Sequence, residues 1–473
     1  MNALESLRYF IPETIVLAGA FLVLTLDLFL RPKKVLAALS ILILIAAAFF
    51  SFSLPANPHV FSGFFHLDSM TVFFRLFSYG VVALTILIST CYRAIENKFE
   101  GEYYSLFLFL ALALVLAAAS ANLLMIFLTI EFISILSYLL VGYEKKNERS
   151  KEASLKYLLF GSVASAMMLF GMSLVFGATG SLWLDAIPVT LAKESAFFAV
   201  ALTGTLFILA GLGFKVSMAP FHLWAPDVYE GAPTPVTTFL TVGPKALGFA
   251  VLLRVLVGAF GWFRFEWGPV IALLAIITMT LGNVTAIAQT KMKRLLAYSS
   301  IAQAGYILMG VAAGTVAGIE SVLYYLVAYA LTNIGVFTIA IVVANQSKND
   351  DIESFRGLSR RAPGLAAAMV LFLLSLAGLP PLAGFVAKFS VFAAALQVQL
   401  YTLALAAALN STVAAFYYFK IVRLMYLVPS DSEQTVENPA ALSFVIILLL
   451  AGTIALGLFP APLMTLAHNA LPL

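Results

Sequence analysis

The chain has 473 residues, of which 62% are hydrophobic and only 11% are charged, and its mean hydropathy is +1.02. Soluble domains are about a quarter charged, so this composition excludes a water-soluble globular protein and indicates an integral membrane protein. The formal net charge of +4 is small and no long basic run occurs, which argues against nucleic-acid binding. The single cysteine, Cys91, excludes a disulfide framework and a cysteine-ligated zinc or iron-sulfur site.

Apolar runs of about the length that crosses a bilayer follow one another along the whole chain. They are apolar on every face, which favours membrane helices over barrel strands, and they predict fourteen helices. The first seven are Pro12–Leu30, Val35–Leu54, Ser69–Thr90, Tyr104–Ala119, Asn122–Tyr143, Ala153–Gly177 and Phe197–Pro226. The last seven are Val236–Gly258, Gly268–Gln289, Leu295–Thr315, Glu320–Asn345, Pro363–Leu396, Tyr401–Tyr426 and Ala440–Pro460.

The lysines and arginines are distributed unevenly between alternate loops. Of the 27 such residues, eighteen fall in loops after odd-numbered predicted helices and only four, Arg8, Lys193, Arg254 and Arg264, on the opposite side. Cations accumulate in cytoplasmic loops. The pattern therefore predicts that both termini lie outside the cytoplasm.

A few charged residues remain inside the predicted membrane helices. No loop accommodates five cations, which are Arg75, Lys156, Lys215, Lys245 and Lys388. Among the acids, only Glu131 lies near the middle of a helix. A charge at membrane depth costs a few kcal/mol or more, so these residues are candidates for function.

Two of these cations have a structural interpretation. Lys156 lies about one turn from the polar segment Glu144–Glu152, so its side chain can snorkel to water, and we weigh this equally with a functional role. Arg75 lies seven residues after Asp68, two turns along one helix face, which favours a role in helix packing. The functional interpretation is favoured for the remaining four, Glu131, Lys215, Lys245 and Lys388.

Predicted helices 7 and 12 are too long for simple membrane spans. At 30 and 34 residues they would be about 45 and 51 Å long, against a hydrocarbon core of about 30 Å. Both contain glycines and prolines that break helices, namely Gly211, Gly213 and Pro220 in helix 7 and Gly378, Pro380, Pro381 and Gly384 in helix 12. Each broken helix also carries a lysine, Lys215 or Lys388.

The two breaks lie five helices apart, and a five-helix repeat inverts its orientation in the membrane. This favours an inverted-repeat architecture, in which interrupted helices mark the ion pathway. We predict an N-terminal three-helix segment (1–103), a first repeat of helices 4–8 (104–258), a second of helices 9–13 (259–427) and a C-terminal helix 14 (428–473). The fold class is thus an all-α integral membrane protein with two inverted five-helix repeats and discontinuous helices 7 and 12.

Neutral polar side chains lie in the same predicted helices as these charges. For any single Ser or Thr, a bond to its own helix is the more frequent arrangement. Together they indicate a hydrated lateral path, and its members are Ser134, Ser137, Tyr138, Asn283, Thr285, Gln289, Tyr298, Ser299, Ser300, Gln303, Thr332, Asn333, Asn410, Ser411 and Thr412.

Four stretches resemble one known family. They read PFHLWAPDVYEGAPTPV at 220–236, VGPKALGF at 242–249, KRLLAYSSIAQAGY at 293–306 and GLPPLAGFVAKF at 378–389. They are similar to the proton-conducting, antiporter-like membrane subunits of respiratory complex I and of multi-subunit sodium/proton antiporters. The resemblance covers essentially the whole chain.

The resemblance implies a role for each buried charge. Glu131 and Lys215 would form the ion pair of one half-channel, Lys245 would relay protons centrally, and Lys388 would be the terminal lysine of the other half. Lys156 and His222 lie near polar positions typical of the family and rank lower. For His222, a proton relay and a hydrogen-bonded structural role are weighed equally.

The resemblance also implies a non-redox, proton-translocating subunit of an NADH:quinone oxidoreductase in a bacterial inner membrane. No cofactor is expected in this chain, while NADH, flavin, iron-sulfur clusters and quinone are expected in partner subunits. The expected partners are the other membrane subunits, including further antiporter-like ones, and the lipid bilayer. A subunit of a sodium/proton antiporter is the alternative. An inert scaffold is disfavoured, because such a helix bundle would be more stable with apolar residues at these four positions.

Overall fold

The structure, a computed structural model, describes residues 3–30, 33–54, 57–92, 100–193, 197–430 and 434–471. The first elements are α1 (Ala3–Tyr9), α2 (Ile11–Asp27), α3 (Lys33–Ser53), β1 (Asn57–Val60), β2 (Phe65–Leu67) and α4 (Ser69–Ser89). The next are α5 (Glu100–Ala119), α6 (Leu123–Val141), α7 (Glu148–Thr179), α8 (Ala186–Lys193), α9 (Phe198–Val216), α10 (Trp224–Gly231) and α11 (Thr234–Leu252).

The second half of the chain continues with helices. These are α12 (Arg264–Ile287), α13 (Met292–Ala313), α14 (Val316–Ser347), α15 (Leu358–Arg361), α16 (Pro363–Ala377), α17 (Ala383–Gln397), α18 (Tyr401–Leu427), α19 (Ala440–Leu458) and α20 (Ala461–Asn469). A π-helical turn, Leu253–Ala259, extends α11.

Within the described residues, twelve helices are long and apolar enough to cross a membrane. The expectation of an all-α integral membrane protein is confirmed, and the total of fourteen spans stays a prediction. The short antiparallel hairpin β1–β2, which pairs Asn57 with Leu67 and Val60 with Phe65, was not expected. It lies between α3 and α4, where the sequence has no apolar run of helical length.

Polar side chains begin several of these helices. Asp68, Asn122, Asn147 and Thr315 each accept a hydrogen bond from a backbone N–H in the first turn of α4, α6, α7 and α14, respectively. Such caps satisfy donors that the first turn leaves without a helical partner. They fix where each helix begins and hence the depth of the residues that follow.

Burial divides the helices into a centre and a periphery. α11, α13 and α14 are almost wholly buried, whereas α3 and α19 expose most of their surface. Close packing between helices uses small residues: a Cβ on Gly171 of α7 would lie 2.5 Å from the Gly204 carbonyl oxygen of α9. Glycine here lets the two backbones approach, as is common between membrane helices.

Both predicted breaks are present. The residues that cap the ends of α9 and α16, Ser217 (φ 58°) and Gly378 (φ 88°), are both in the left-handed conformation. The Ala219–Pro220 and Pro380–Pro381 peptide bonds that follow are cis.

Side chains satisfy the backbone groups that the breaks release. Trp224 Nε1 donates to the Phe214 carbonyl (3.1 Å), and the Ala219 amide donates to Thr278 Oγ1 (3.0 Å). In the second break the Gly384 amide donates to Ser375 Oγ (3.1 Å). These bonds replace the water that is missing at this depth.

The structure corrects the placement of two cations. Arg254 and Lys293, counted as loop residues, are each only 6% exposed. Arg254 is buried because it lies on the π-helical turn and pairs with Asp68 (2.6 Å). Arg75, for which a role in helix packing was expected, joins α4 to α2 through an ion pair with Glu13 (2.6 Å). Three further cations of the orientation count lie outside the described residues, namely Arg31, Arg93 and Lys98.

Candidate functional site

Three lysines lie buried in the centre of the bundle. Lys215 is at the end of α9, Lys245 in α11 and Lys388 in α17, and they are 7%, 2% and 6% exposed, respectively. Glu131, in α6, is half-buried. The three lysines are thus buried, as expected from the sequence, and Glu131 is only partly so. The interaction partners of each residue indicate what it can do.

Lys215 is bonded to a serine and not to the expected carboxylate. Its Nζ donates to Ser134 Oγ at 2.5 Å, while Glu131 accepts a hydrogen bond from Ser165 of α7. No ion pair within 4 Å joins Lys215 and Glu131, although the two are within electrostatic range. The prediction of a direct pair was wrong for this conformation, because Ser134 lies one turn after Glu131 and occupies the position nearest the ammonium.

Lys245 is held by the neighbouring helix α13. Its Nζ donates to both the carbonyl oxygen and Oγ of Ser300, each at 2.8 Å, and lies 6.0 Å from the centre of the Tyr229 ring. Ser300 was among the polar residues expected to line a lateral path. The ammonium thus faces two neutral acceptors between α11 and α13.

Lys388 is also surrounded by neutral groups. Its Nζ donates to the Ala377 carbonyl (2.9 Å) and to Ser411 Oγ (3.3 Å), and it lies 4.5 Å from the centre of the Tyr306 ring. The freed carbonyl of Ala377 is available because α16 ends there. The absence of a Cβ at Gly378 makes room for the lysine stem, since that atom would lie 2.7 Å from Lys388 Cδ.

Hydrogen-bonded side chains extend from the Lys245 region toward Lys388. Ser299 is bonded to Tyr418 OH (2.6 Å), and Gln303 Nε2 donates to that hydroxyl (3.4 Å) and to the Leu376 carbonyl (3.1 Å). Tyr325 OH donates to Gln303 Oε1 (2.5 Å). Lys388 donates to the Ala377 carbonyl, the next one along α16, so Gln303 and Lys388 both bind the C-terminal end of α16.

A second polar cluster lies beside Lys388. Asn283 donates to Tyr306 OH (3.1 Å) and to Asn410 Oδ1 (3.2 Å), and it accepts from Tyr417 OH (3.0 Å). The two asparagines were expected from the sequence. The tyrosines of α18 were not, because a tyrosine in an apolar run is commonly a packing residue.

Other expected members of the path do not join it. Gln289 donates to the Thr285 carbonyl and Thr412 donates to the Ala408 carbonyl, so both bond back to their own helix. Asn333 and Thr332 have partners on other helices, with Asn333 donating to Thr241 Oγ1 (2.6 Å). The path therefore contains fewer side chains than the sequence indicated.

His222 lies in the break between α9 and α10. It is buried, and its Nδ1 has no hydrogen-bond partner among the described residues. It is within electrostatic range of Lys245. A buried ring nitrogen that is not used in structure is suited to accept or pass on a proton.

Lys156 belongs to an ion-pair cluster at the polar end of the bundle. Its Nζ contacts Glu152 (2.7 Å) and Asp227 (2.9 Å), and Arg294 contacts the other Asp227 oxygen (2.7 Å) as well as Glu230 (3.0 Å). The Lys156 side chain is 39% exposed. This supports the snorkelling interpretation, with the cluster joining α7, α10 and α13.

Asp227 is the centre of this cluster and was not singled out from the sequence. Burial raises the pKa of its carboxyl, but the hydrogen bonds and charges of Lys156 and Arg294 outweigh it and hold that pKa below the usual range. The signal in the sequence was its position seven residues after Pro220, in the segment that restarts after the break.

Comparisons with known proteins identify the family of the chain. The family described as NADH:quinone oxidoreductase/Mrp antiporter, TM, matches residues 120–414, a range that includes Glu131, Lys215, Lys245 and Lys388. A Chloroherpeton thalassium protein named NADH-quinone oxidoreductase subunit N 2 is 41% identical over 480 residues, covering 98% of this chain and 94% of that protein.

Two solved structures are similar in fold over nearly the whole chain. One contains respiratory complex I from Thermus thermophilus with bound Aureothin, and the similar chain has a TM-score of 0.83 and 32% identity, covering 97% of this chain and 100% of that chain. The other is the Mrp complex from Dietzia sp. DQ12-45-1b, with a TM-score of 0.81 and 19% identity, covering 99% of this chain and 97% of that chain. The second likeness concerns the fold alone.

Proposed function

We propose that this chain, which belongs to the NADH:quinone oxidoreductase/Mrp antiporter membrane family, translocates protons as a membrane subunit of an NADH:quinone oxidoreductase. The observation that carries the proposal is the series of three buried lysines, each bonded to neutral acceptors. Isolated charges at this depth are costly. Lysines whose ammonium groups contact only hydroxyls, carbonyls and rings are suited to gain and lose protons.

The identities favour this assignment over a sodium/proton antiporter subunit. The Chloroherpeton protein and the Thermus chain are 41% and 32% identical to this chain, against 19% for the Mrp chain. Electron transfer would then take place in other subunits, which carry NADH, flavin, iron-sulfur clusters and quinone. Co-purification with flavin and iron-sulfur subunits separates the two assignments.

The proposed path begins at Glu131 and Lys215. In the observed conformation Ser134 binds the ammonium and Ser165 binds the carboxylate. Rotation of the Glu131 side chain toward Lys215 would stabilise the protonated lysine, and rotation away would favour release of its proton. A hydrogen bond to a charged group contributes about 1.5–3 kcal/mol. That is comparable with the cost of about 2.3 kcal/mol for moving one charge against 100 mV.

The proton would then pass to Lys245 and on to Lys388. His222 lies within electrostatic range of Lys245 and is assigned a relay role. From Lys245, Ser300 leads to the chain of Ser299, Tyr418 and Gln303, whose last member meets the end of α16 beside Lys388. We assign Lys156 to the polar entrance of the first half and not to the buried path.

The same proposal includes the architecture. Residues 104–258 and 259–427 would be two inverted repeats, flanked by an N-terminal segment (1–103) and a C-terminal helix (428–473). The matching left-handed ends of α9 and α16 support it. We place the chain in a bacterial inner membrane with both termini outside the cytoplasm, as the distribution of cations predicts.

The test is donor-driven proton uptake by vesicles that contain the assembled complex, comparing wild type with Lys215→Ala. We expect the variant complex to assemble and to lose both pumping and turnover. Lys146→Ala, which changes an exposed lysine, is the matched control. Unchanged proton uptake per electron in the Lys215 variant would exclude this chain from the proton path.

A further inference from the structure

A groove of about 1040 Å³ lies between α12 and α18. One face of α18 forms most of its wall: Thr412, Phe416, Phe419 and Arg423 follow one another at three or four residues, and Lys420 lies four residues after Phe416 and three before Arg423. Residues with this spacing lie on one side of a helix. Phe416 and Phe419 are 62% and 47% exposed, so the groove opens to the surroundings of the bundle.

The two cations of the groove have no counter-charge among the residues that the structure describes. Lys420 and Arg423 are exposed, and neither forms a hydrogen bond or ion pair with any described residue. No described acidic residue lines the groove, and Asp431 and Glu433, further along the chain, lie outside the described residues. The groove is therefore apolar along its length and positive at one end.

The position of the cations along α18 matches the edge of a membrane. A helix of 27 residues is about 40 Å long, and the hydrocarbon core is about 30 Å. Arg423 is four residues from the end of α18, about 6 Å, and Lys420 is one turn deeper. Both side chains are long enough to reach the headgroup layer from there.

We propose that this groove binds an anionic phospholipid. The phosphate lies between Lys420 and Arg423, and an acyl chain follows Phe416 and Phe419 toward Thr412. Clustered cations at the membrane surface attract anionic lipids, and an apolar groove takes up a chain that would otherwise lie in the bilayer. The site is independent of the buried lysines.

A second groove lacks the positive end that favours an anionic lipid in the first. It lies between α5, α6 and α7, has a volume of about 800 Å³, and contains Glu102 together with Lys145 and Lys151. Lys151 is already paired with Glu148 (2.7 Å). Its mixed charge gives no preference for an anionic headgroup.

The test is native mass spectrometry of the purified complex titrated with phosphatidylglycerol, and with phosphatidylcholine of the same acyl chains. We expect Lys420→Gln/Arg423→Gln to weaken phosphatidylglycerol binding about 30-fold, from the attraction of two surface cations, and to leave phosphatidylcholine unaffected. Lys34→Gln/Lys146→Gln, which removes the same charge from exposed positions outside the groove, is the control. Equal phosphatidylglycerol binding by the groove variant and wild type would overturn the proposal.

A photo-crosslinking residue at Phe416 provides a second test that does not depend on the charge variants. In the intact complex within its membrane, an adduct to phospholipid supports the proposal. An adduct to another protein subunit overturns it, because the groove would then be a protein interface.

Discussion

Asp227 and Lys388 occupy matching positions beyond the two helix breaks, each ten residues after the left-handed residue that ends the preceding helix, Ser217 or Gly378. Lys215 lies two residues before Ser217, where the second break has Leu376. The lysine therefore precedes the break in one half and follows it in the other. In the first half the matching position holds an acid that is paired with Lys156 and Arg294.

Replacing Ser134 with alanine tests how Lys215 is held. The substitution removes the hydroxyl that accepts from the ammonium, a bond of about 1.5–3 kcal/mol. We expect proton uptake in vesicles to fall about tenfold, less than in Lys215→Ala. Ser137→Ala is the control, since that buried hydroxyl donates to the Ile133 carbonyl of its own helix (2.7 Å). Equal rates in the two serine variants would show that Ser134 does not position the lysine.

Gly378→Ala tests the room that the second break leaves for Lys388. The left-handed conformation costs a residue with a Cβ about 1–2 kcal/mol, and the new Cβ would displace the lysine stem. We expect less assembled complex and reduced pumping by the complex that remains. Gly364→Ala, also on α16, meets nothing within 4 Å and leaves both unchanged. The explanation fails if the two variants assemble and pump alike.

Asp227→Asn tests the ion-pair cluster that ties α10 to α7 and α13. Loss of the charge weakens the contacts with Lys156 and Arg294. We therefore expect the rate of amide hydrogen exchange in α10 to rise about fivefold, which corresponds to a loss of about 1 kcal/mol in the free energy of local opening for this partly exposed network. Mass spectrometry of peptides from the assembled complex measures the change. The control, Glu148→Gln, breaks an exposed pair with Lys151. If exchange in α10 stays at the wild-type level, the cluster does not hold the helix.

The pair between Asp68 and Arg254 makes stability depend on pH. Burial raises the pKa of Asp68, but Arg254 and the Thr71 hydrogen bonds outweigh it, so the folded pKa is below the usual value. The stabilisation is fully present above the unfolded pKa of about 3.9 and is lost as pH falls through the folded value. Asp68→Asn should therefore cost about 1–3 kcal/mol at neutral pH and progressively less below pH of about 4.

Thermal denaturation of the purified complex at several pH values checks this. The difference in midpoint between wild type and Asp68→Asn should be constant near neutrality and shrink in acid. Asp185→Asn, at an exposed acid with no ion pair among the described residues, controls for the charge change. A difference that grows in acid would contradict the assignment.

The sequence predicted the three lysines in the broken helices and α11 well, because a lysine in an apolar run has few explanations. Lys215, Lys245 and Lys388 all lie at depth, and the glycines and prolines around Gly378 marked a real break. These signals are local. A charge or a helix breaker stands out against its own neighbours, whatever the rest of the chain does.

The partners of those charges were harder to predict because they come from distant parts of the chain. Ser134 lies 81 residues from Lys215, and Arg254 lies 186 residues from Asp68. The periodicity and the hydropathy of a sequence do not indicate which helices pack against each other. Arg254 looked like a loop residue for the same reason, since only the folded bundle brings Asp68 to it.

The three groups that contact the Lys388 ammonium are a carbonyl, a hydroxyl and an aromatic face, and all are neutral. They act as a solvation shell whose dipoles are fixed in place by the helices. Such a shell rearranges little when the proton leaves, so its dipoles screen little of an electric field from outside. In the proposed proton path, we therefore expect the protonation of Lys388 to depend more on charges outside these three groups than on movement of the groups themselves.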